Sequence, residues 1–321
     1  MRGRPAGPWS WNRPSSPATG LAAREAPAPV GDPARAVALL TCATILFALA
    51  DMMAKILNAS LPPGEIAWLR YVASAGVLVP LVAVEGRSAL AVTRPGLQVL
   101  RGLGILGSAV GFIAAVRYVP LAEATATAFA SPIFITMLSS LFLGERPGIR
   151  RWSATVLGLA GVIIVVRPFG HGFHWQICYA VLSASSWAVA MVATRPLARA
   201  DGAIRTMLCT GIVGLAVLSL GLVFDSVRPD PRALALGLLA GAFNTAAQWL
   251  AFGAYRAADA SLVAPFGYLQ IIWAAALGYA VFGAEPDRWT YAGAAVIVAS
   301  GLYIAHRERV VRARNLAGTQ R

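Results

Sequence analysis

Two charged side chains, Asp51 and Lys55, stand inside the apolar stretch FALADMMAKIL. They are four residues apart, so a helix places them on one face and within reach of each other. Arg70 lies in the next apolar stretch, five residues after Glu65, and is positioned to join them from a neighbouring helix. Charges in such surroundings bind a solute or a proton, or they form a structural ion pair.

The two charges differ in how firmly the sequence assigns them to a site. Lys55 and Glu65 flank the turn NASLPPG, so Lys55 is either a long side chain anchored at a membrane edge or a member of the site. Asp51 lies a full helical turn deeper and has a short reach. We therefore predict that Asp51 binds substrate or a coupling proton, the alternative being a purely structural pair with Lys55 or Arg70.

Neutral polar and aromatic residues in later segments extend this candidate binding site. Asn244 and Gln248 are four apart in GAFNTAAQW and suit a cavity that hydrogen-bonds a polar solute; bonding between helices is the alternative. The other candidates are Trp187, Phe266, Tyr268, Gln270 and Trp273. The aromatic members either stack on a planar ring system, such as that of a flavin, or pack against lipid and neighbouring helices.

The composition of the chain indicates that a bilayer surrounds these residues. Of the 321 residues, 58% are hydrophobic and 13% are charged, and the mean hydropathy of +0.66 is far above that of a soluble domain. The net charge of +13 does not indicate nucleic acid, because the arginines punctuate apolar segments and form no basic stripe with interleaved aromatics.

Ten apolar segments are long enough to cross hydrocarbon, and each is expected to be a helix because lipid offers no partner to the backbone. They are predicted at 36–57, 65–84, 97–116, 121–143, 152–166, 175–194, 206–224, 233–255, 260–282 and 289–305. Pro132 and Pro265 fall in the fourth and ninth segments, where they are able to free backbone carbonyls. The predicted fold class is an all-α polytopic membrane protein with ten transmembrane helices.

The distribution of basic residues predicts the orientation. With the amino terminus inside, twenty basic residues fall on the cytoplasmic side and five outside, a count that places Arg101 with the cytoplasmic loops. Both termini are then cytoplasmic in a multi-pass protein of the bacterial inner membrane. Residues 1–33 are predicted to be a disordered tail, with no signal peptide, and residues 307–321 a basic tail.

The sequence predicts an internal duplication, the alternative being chance similarity between two apolar segments. FALADMMAKIL aligns with WAVAMVATRPL, 140 residues later, and Lys55 then matches Arg195 whereas Asp51 matches Met191. Each half contains five predicted helices, an odd number, so the second copy enters the membrane from the opposite face. This predicts two inverted five-helix repeats, at 36–167 and 175–306, with a substrate site near the midplane between them.

The motifs that end each half carry a family resemblance. LFLGERPGIRRWSATVLGLAGVIIVVRP and LVAPFGYLQIIWAAALGYAVFGAEPD resemble segments of the EamA-like carriers of the drug/metabolite transporter superfamily, and the resemblance extends over 36–306. The stretch ADMMAK followed by PPGEIAWLR looks like the subgroup that includes riboflavin and S-adenosylmethionine uptake carriers. In the second half the LGE signature reads FGAEP, with Ala284 before the glutamate.

The resemblance implies a secondary transporter of a small polar or ring-bearing metabolite that works by alternating access, with uptake of the riboflavin type as the leading interpretation. Export of amino acids or other metabolites is the alternative, and a channel is the alternative of another class. The expected partners are the lipid bilayer, a small-molecule substrate and protons as a candidate coupling ion, with no nucleic acid and a monomeric or homodimeric state. No enzymatic activity or cofactor is expected.

Three further motifs are assigned to structure. GLGILG, GSAVG and GLLAG lie in apolar segments with no preceding strand, so we predict close helix packing at their glycines and no phosphate loop. His171 and His174 have helical spacing but lack a third ligand, and no metal site is predicted there. Cys42, Cys178 and Cys209 are expected to be small apolar core residues.

Overall fold

The computed structural model describes residues 32–85, 92–142, 149–166, 175–201, 203–223, 227–258 and 260–318. Its helices are α1 (Pro33–Leu57), α2 (Pro63–Glu85), α3 (Pro95–Tyr118), α4 (Leu121–Ala128), α5 (Ser131–Phe142), α6 (Ile149–Val166), α7 (Cys178–Ala200), α8 (Ala203–Leu222), α9 (Pro231–Ala257), α10 (Ala260–Gly267), α11 (Leu269–Phe282) and α12 (Arg288–Gly318). A single 3-10 turn precedes α7. Within the described ranges the predicted all-helical class is confirmed. The amino-terminal tail to Gly31, Glu145, His171 and His174 lie outside these ranges.

Seven helical segments of the described chain are long and apolar enough to cross a membrane. They are Pro33–Leu57, Pro95–Tyr118, Leu121–Phe142, Trp175–Thr194, Arg205–Leu222, Pro231–Ala257 and Pro265–Phe282. In α6 the apolar stretch is shorter and covers Thr155–Val166. The final helix continues to Gly318, well past the predicted end at residue 305.

Asp-Pro pairs explain where two of the long helices begin. Asp32 accepts a hydrogen bond from the Arg35 backbone N–H at 3.0 Å, and Asp230 accepts one from the Ala233 N–H at 2.5 Å. The proline that follows each aspartate has no N–H to satisfy and a φ already suited to a helix. Both α1 and α9 consequently begin two or three residues before the predicted starts at 36 and 233.

Two of the predicted spans contain a break in the helix, and each also contains one of the two prolines that the sequence placed inside a span. The segment at 121–143 divides into α4 and α5 at Phe129 and Ala130, and the segment at 260–282 divides into α10 and α11 at Tyr268. Pro132 lacks the N–H that would continue the ladder from α4, which accounts for the first break. In the second, Pro265 lies three residues before the break.

Helices of the two predicted halves pack against each other through small residues. Fully buried alanines spaced by seven meet between α1 and α9: Ala36, Ala43 and Ala50 on α1, and Ala240, Ala247 and Ala254 on α9. The helix α3 packs in the same way on α7, and α6 on α12. Small side chains bring the backbones close, so that packing contacts hold these helices together without a solvent-driven hydrophobic term between them.

The glycine motifs lie at these contacts, which confirms their predicted packing role. A Cβ added to Gly104 of α3 would lie 2.9 Å from the Ser186 carbonyl oxygen of α7, and one added to Gly111 would lie 3.0 Å from the Tyr179 carbonyl oxygen. On α9, a Cβ at Gly241 would lie 2.7 Å from the Arg70 Cα of α2. Because the obstacles are backbone atoms, these helices fit together only while the residues remain glycine.

Candidate functional site

A cavity of about 140 Å³ lies between α2, α3, α7, α8 and α9. Its polar and aromatic lining consists of Arg70, Tyr71 and Ser74 on α2, Arg101 on α3, Trp187 on α7, Thr210 on α8, and Asn244, Thr245, Gln248 and Trp249 on α9. Asn244 stands at the middle of the 27-residue α9. Helices from both predicted halves therefore enclose a mostly apolar space that has convergent polar groups, which is the usual form of a small-molecule site.

Beside this cavity, Asp51 and Arg70 form an ion pair that links α1 and α2. The Arg70 Nη2 lies 3.3 Å from the Asp51 Oδ1, and both residues are only 7% exposed. The same Nη2 donates to the Ala50 carbonyl oxygen, and Gln270 of α11 donates to the other carboxylate oxygen of Asp51 at 3.3 Å. The carboxylate of α1 thus bonds to side chains of two other helices, and one of these is a guanidinium that lines the cavity.

Lys55 does not take the place beside Asp51 that its spacing allowed. Its Nζ donates to the carbonyl oxygens of Val116 and Val119, both at 2.7 Å, and lies 5.5 Å from the centre of the Phe282 ring. Val116 lies in the last turn of α3 and Val119 directly follows that helix. The ammonium therefore caps the end of α3, and it also contacts the end of α11. Among the described residues, the structure therefore pairs Asp51 with Arg70.

Glu65 lies at the first turn of α2, away from the cavity lining. It is buried, and its Oε2 accepts a hydrogen bond from the Val227 backbone N–H at 3.2 Å. This contact joins α2 to the segment that leads into α9. The geometry gives Glu65 a role in connecting two segments and no contact with the cavity.

The predicted amides and one predicted aromatic residue do meet at the cavity. Gln248 donates to the Asn244 side-chain oxygen at 2.7 Å, and both side chains line the space with Trp187. Trp187 is 40% exposed. The bond between the two amides does not use the Gln248 carbonyl or the Asn244 amide nitrogen, and Trp187 adds an aromatic ring to the same lining.

The remaining predicted aromatics lie outside the set that lines this cavity. Tyr268, at the break between α10 and α11, packs on Phe129, at the break between α4 and α5, with ring centroids 5.1 Å apart. Phe266 packs against the cluster that contains Ala43 and Ala247. Trp273 of α11 is half-buried. Tyr268 and Phe266 act in packing in this structure, and the stacking of all three residues on a substrate stays a prediction.

Arg101 is the main residue that the sequence interpretation misassigned. The count of basic residues places it with the cytoplasmic loops, but it lies in α3 and lines the cavity. Its Nε donates to the Thr194 hydroxyl at 2.8 Å, and its Nη1 donates to the Thr206 carbonyl at 3.3 Å and to the Thr210 hydroxyl. The available signal was its position four residues inside the predicted third span, comparable to that of Arg70 in the second.

The sequence of the chain matches the model of the EamA-like transporter family twice, at residues 34–167 and 174–305. The chain belongs to the EamA-like transporter family. It is accordingly a multi-pass membrane protein that transports small metabolites, as the resemblance implied.

Named relatives of this EamA-like transporter move several different compounds. It is 29% identical to an S-adenosylmethionine uptake transporter of Rickettsia felis, over 82% of this chain and 90% of that one. It is 31% identical to a riboflavin transporter of Rhizobium johnstonii, over 86% and 94%, and 29% identical to a pseudopaline exporter of Pseudomonas aeruginosa, over 85% and 96%. A solved crystal structure matches with a TM-score of 0.60 at 21% identity, over 87% of this chain and 99% of that chain, which supports the fold alone.

A second polar cluster in the EamA-like transporter joins two interhelical segments. Asp201, which follows α7, is buried and accepts hydrogen bonds from the Thr93 N–H at 2.9 Å, the Thr93 hydroxyl at 2.7 Å and the Gln98 side chain at 2.8 Å. The bonds from Thr93 are the largest reason that the pKa of Asp201 lies below its usual value of 3.8. The ionised form of Asp201 therefore ties the start of α3 to the end of α7.

We expect Asp201→Asn to lower the free energy of unfolding by about 1–2 kcal/mol. The substitution replaces one carboxylate oxygen, which accepts hydrogen bonds, with an NH2 group that would face other donors. Since the folded pKa is depressed, the stabilisation by Asp201 is present above the unfolded pKa and is lost as the pH falls through the folded value. The difference between the melting temperatures of the wild type and the variant should thus be largest at pH 7 and should disappear only below about pH 4. Thermal unfolding in detergent at both pH values measures it.

The matched control for this change is Asp230→Asn, at an exposed helix cap where asparagine serves as well as aspartate. It should melt with the wild type at pH 7. Equal melting temperatures for Asp201→Asn and Asp230→Asn would contradict the structural role assigned to Asp201.

Proposed function

We propose that the chain imports a small ring-bearing metabolite across the bacterial inner membrane by alternating access around the central cavity. The observation that carries the proposal is the lining itself: α2 and α3 come from the first family match, and α7, α8 and α9 come from the second. A site enclosed by both halves becomes accessible from either side when one half moves against the other.

The proposed architecture is ten transmembrane helices in two inverted five-helix repeats, with both termini cytoplasmic. At an offset of 140 residues, α1 to α6 correspond to α7 to α12, so α4 with α5 and α10 with α11 are equivalent broken spans. The contacts between helices follow the same correspondence. The helix α1 packs on α9, and their equivalents in the other half, α7 and α3, also pack on each other. Reciprocal packing of this kind supports a two-fold relation, and the excess of arginine on one side supports the orientation.

Within this architecture we assign coupling to Asp51. Its carboxylate binds Arg70, which lines the cavity, and Gln270, which belongs to one of the broken spans. A proton or a substrate group that competes for either partner changes the contacts among α1, α2 and α11. The equivalent position in the second half is Met191, so the coupling group belongs to the first half alone.

Riboflavin is the leading substrate, and S-adenosylmethionine is the second candidate. Both compounds combine a planar ring with hydrogen-bonding groups, and the cavity presents Trp187 and Trp249 together with the Asn244–Gln248 pair. The relative named as an S-adenosylmethionine uptake transporter supports import, and the relative named as a riboflavin transporter supports that substrate. The relative named as a pseudopaline exporter supports export as the alternative direction.

Growth rescue tests the substrate and the direction together. Expression in a riboflavin-auxotrophic bacterium should restore growth on low external riboflavin, and Trp187→Ala should weaken that rescue. Trp289→Ala, at an exposed tryptophan of α12 outside the cavity, is the control and should rescue fully. Failure of rescue combined with protection from toxic external amino acids would select export and reject the import proposal.

A further inference from the structure

Arg101 is a cation in the cavity lining whose hydrogen-bond partners are all neutral. The hydroxyls of Thr194 and Thr210 and the carbonyl of Thr206 accept from its Nε and Nη1. Within the described part of the chain, no hydrogen bond from its Nη2 and no ion pair of Arg101 is found. The guanidinium is therefore held in place by its neighbours while its charge stays uncompensated.

Arg70, on the adjoining helix, lines the same cavity but has an anionic partner. Its guanidinium is paired with the Asp51 carboxylate at 3.3 Å. Charges inside membrane segments are usually paired or face a water-filled space, since an isolated charge in apolar surroundings is costly. Arg101 lines the cavity, so we expect a molecule bound in the cavity to supply the negative charge that balances it.

The rest of the lining points to the same kind of ligand. The residues that line the cavity include two arginines and no aspartate or glutamate. Tyr71 also lines the cavity, and its hydroxyl is buried without a hydrogen-bond partner among the described residues. Its ring packs tightly against α8 at Gly214, where a Cβ would lie 2.2 Å from the ring. Two residues with hydrogen-bond donors held in place, Tyr71 and Arg101, thus line one cavity whose lining includes no carboxylate.

We propose that the cavity binds a metabolite carrying an oxyanion, a carboxylate or a phosphate, next to its planar ring, and that Arg101 pairs with this oxyanion. Arginine suits the role because its planar fork of N–H donors matches two oxygens of such a group. Trp187 and Trp249 line the same cavity for the ring. The identification of this ligand as the transported substrate rests on the proposed function, whereas the binding site does not. Of the two candidate substrates, S-adenosylmethionine carries such an oxyanion and riboflavin does not, so this inference favours the second candidate over the first.

Equilibrium binding of labelled probes to the purified, detergent-solubilised protein tests the proposal. Two probe pairs separate the sources of the oxyanion: S-adenosylmethionine against its decarboxylated analogue for a carboxylate, and flavin mononucleotide against riboflavin for a phosphate. In at least one pair the oxyanion-bearing member should bind the wild type about tenfold more tightly or better, a difference of about 1.4 kcal/mol. No binding of either oxyanion-bearing probe, or equal affinities within both pairs, would overturn the proposal.

Variants assign the preference to Arg101. Arg101→Gln should remove most of the preference, because it weakens binding of the oxyanion-bearing probe and leaves binding of the other member of the pair unchanged. Arg101→Lys, which keeps the charge, should retain a reduced preference. Arg117→Gln, an exposed arginine near the end of the same helix, is the matched control and should bind as the wild type does. A preference that survives intact in Arg101→Gln, or one abolished equally in Arg101→Lys and Arg117→Gln, overturns the assignment to Arg101.

These outcomes are separate from those of the proposed function. A preference in binding without counterflow of the bound probe would leave the oxyanion site standing and reject transport of that probe. Counterflow of a labelled metabolite with equal affinities within both pairs would support transport and reject the oxyanion site.

Discussion

Asp51→Asn is expected to reduce transport at least tenfold while the protein still inserts and can be purified. The substitution keeps the shape of the side chain and most of its hydrogen-bonding capacity, but it removes the charge that balances Arg70. Arg70 lines the cavity, so its uncompensated charge would act directly on the bound substrate. Initial uptake rates in proteoliposomes at several pH values measure the effect, and Asp230→Asn is the control.

The double variant Asp51→Asn/Arg70→Gln separates coupling from structure. It removes both charges, so no buried charge is left unpaired and melting should return towards that of the wild type. If the pair only holds α1 against α2, transport should return as well. We expect it to stay low. An Asp51→Asn protein with an unchanged rate and an unchanged pH profile would exclude Asp51 as the binding or coupling group.

Gly241→Ala is expected to have the largest effect on the fold. The added Cβ would lie 2.6 Å from the Ala73 Cβ, 2.7 Å from the Arg70 Cα and 2.8 Å from the Arg70 carbonyl oxygen. Since none of these atoms can rotate away, α9 must separate from α2, at a cost of about 1–3 kcal/mol or more. The shift occurs at Arg70, so transport should fall together with the yield of folded protein and its melting temperature.

Gly253→Ala, on the same helix, provides the matched control for that substitution. Its Cβ would meet the Leu39 Cδ1 at 3.5 Å, an ordinary contact. Alanine is favoured over glycine in a helix by about 1 kcal/mol, so this variant should be as stable as the wild type or more stable. Equal loss of melting temperature in the two variants would show that the close approach of α9 to α2 does not govern stability.

The elements and the deep charges of this protein were predictable because they depend on local sequence. The length of the apolar segments predicts the positions of the helices, and an Asp-Pro pair marks the start of α1 and of α9. Asp51 is recognisable in the sequence as an acidic residue inside an apolar segment. The contact between Asp51 and Gln270 joins residues 219 positions apart, and only the packing of α1 on α11 creates it.

The roles of Arg101, Tyr71, Trp249 and Lys55 could not be predicted, because they depend on how the helices pack against one another. Arg101 lies near the end of a span, where an arginine normally reaches the interface, and only its bonds to Thr194 and Thr210 hold it towards the cavity. Tyr71 and Trp249 look like ordinary membrane aromatics in the sequence, because the face that a helix turns towards a cavity depends on its neighbours. Lys55 was ambiguous for the same reason, since the free carbonyls that it caps belong to another helix.

Counterflow in proteoliposomes tests the central claim most directly. Vesicles that contain the purified protein are loaded with unlabelled riboflavin or S-adenosylmethionine and diluted into a trace of the labelled compound. A carrier with one alternating site should accumulate the label transiently above its equilibrium level, with saturable kinetics, and Asp51→Asn should suppress this overshoot. Linear, non-saturable entry of the label without an overshoot would indicate a channel and contradict alternating access.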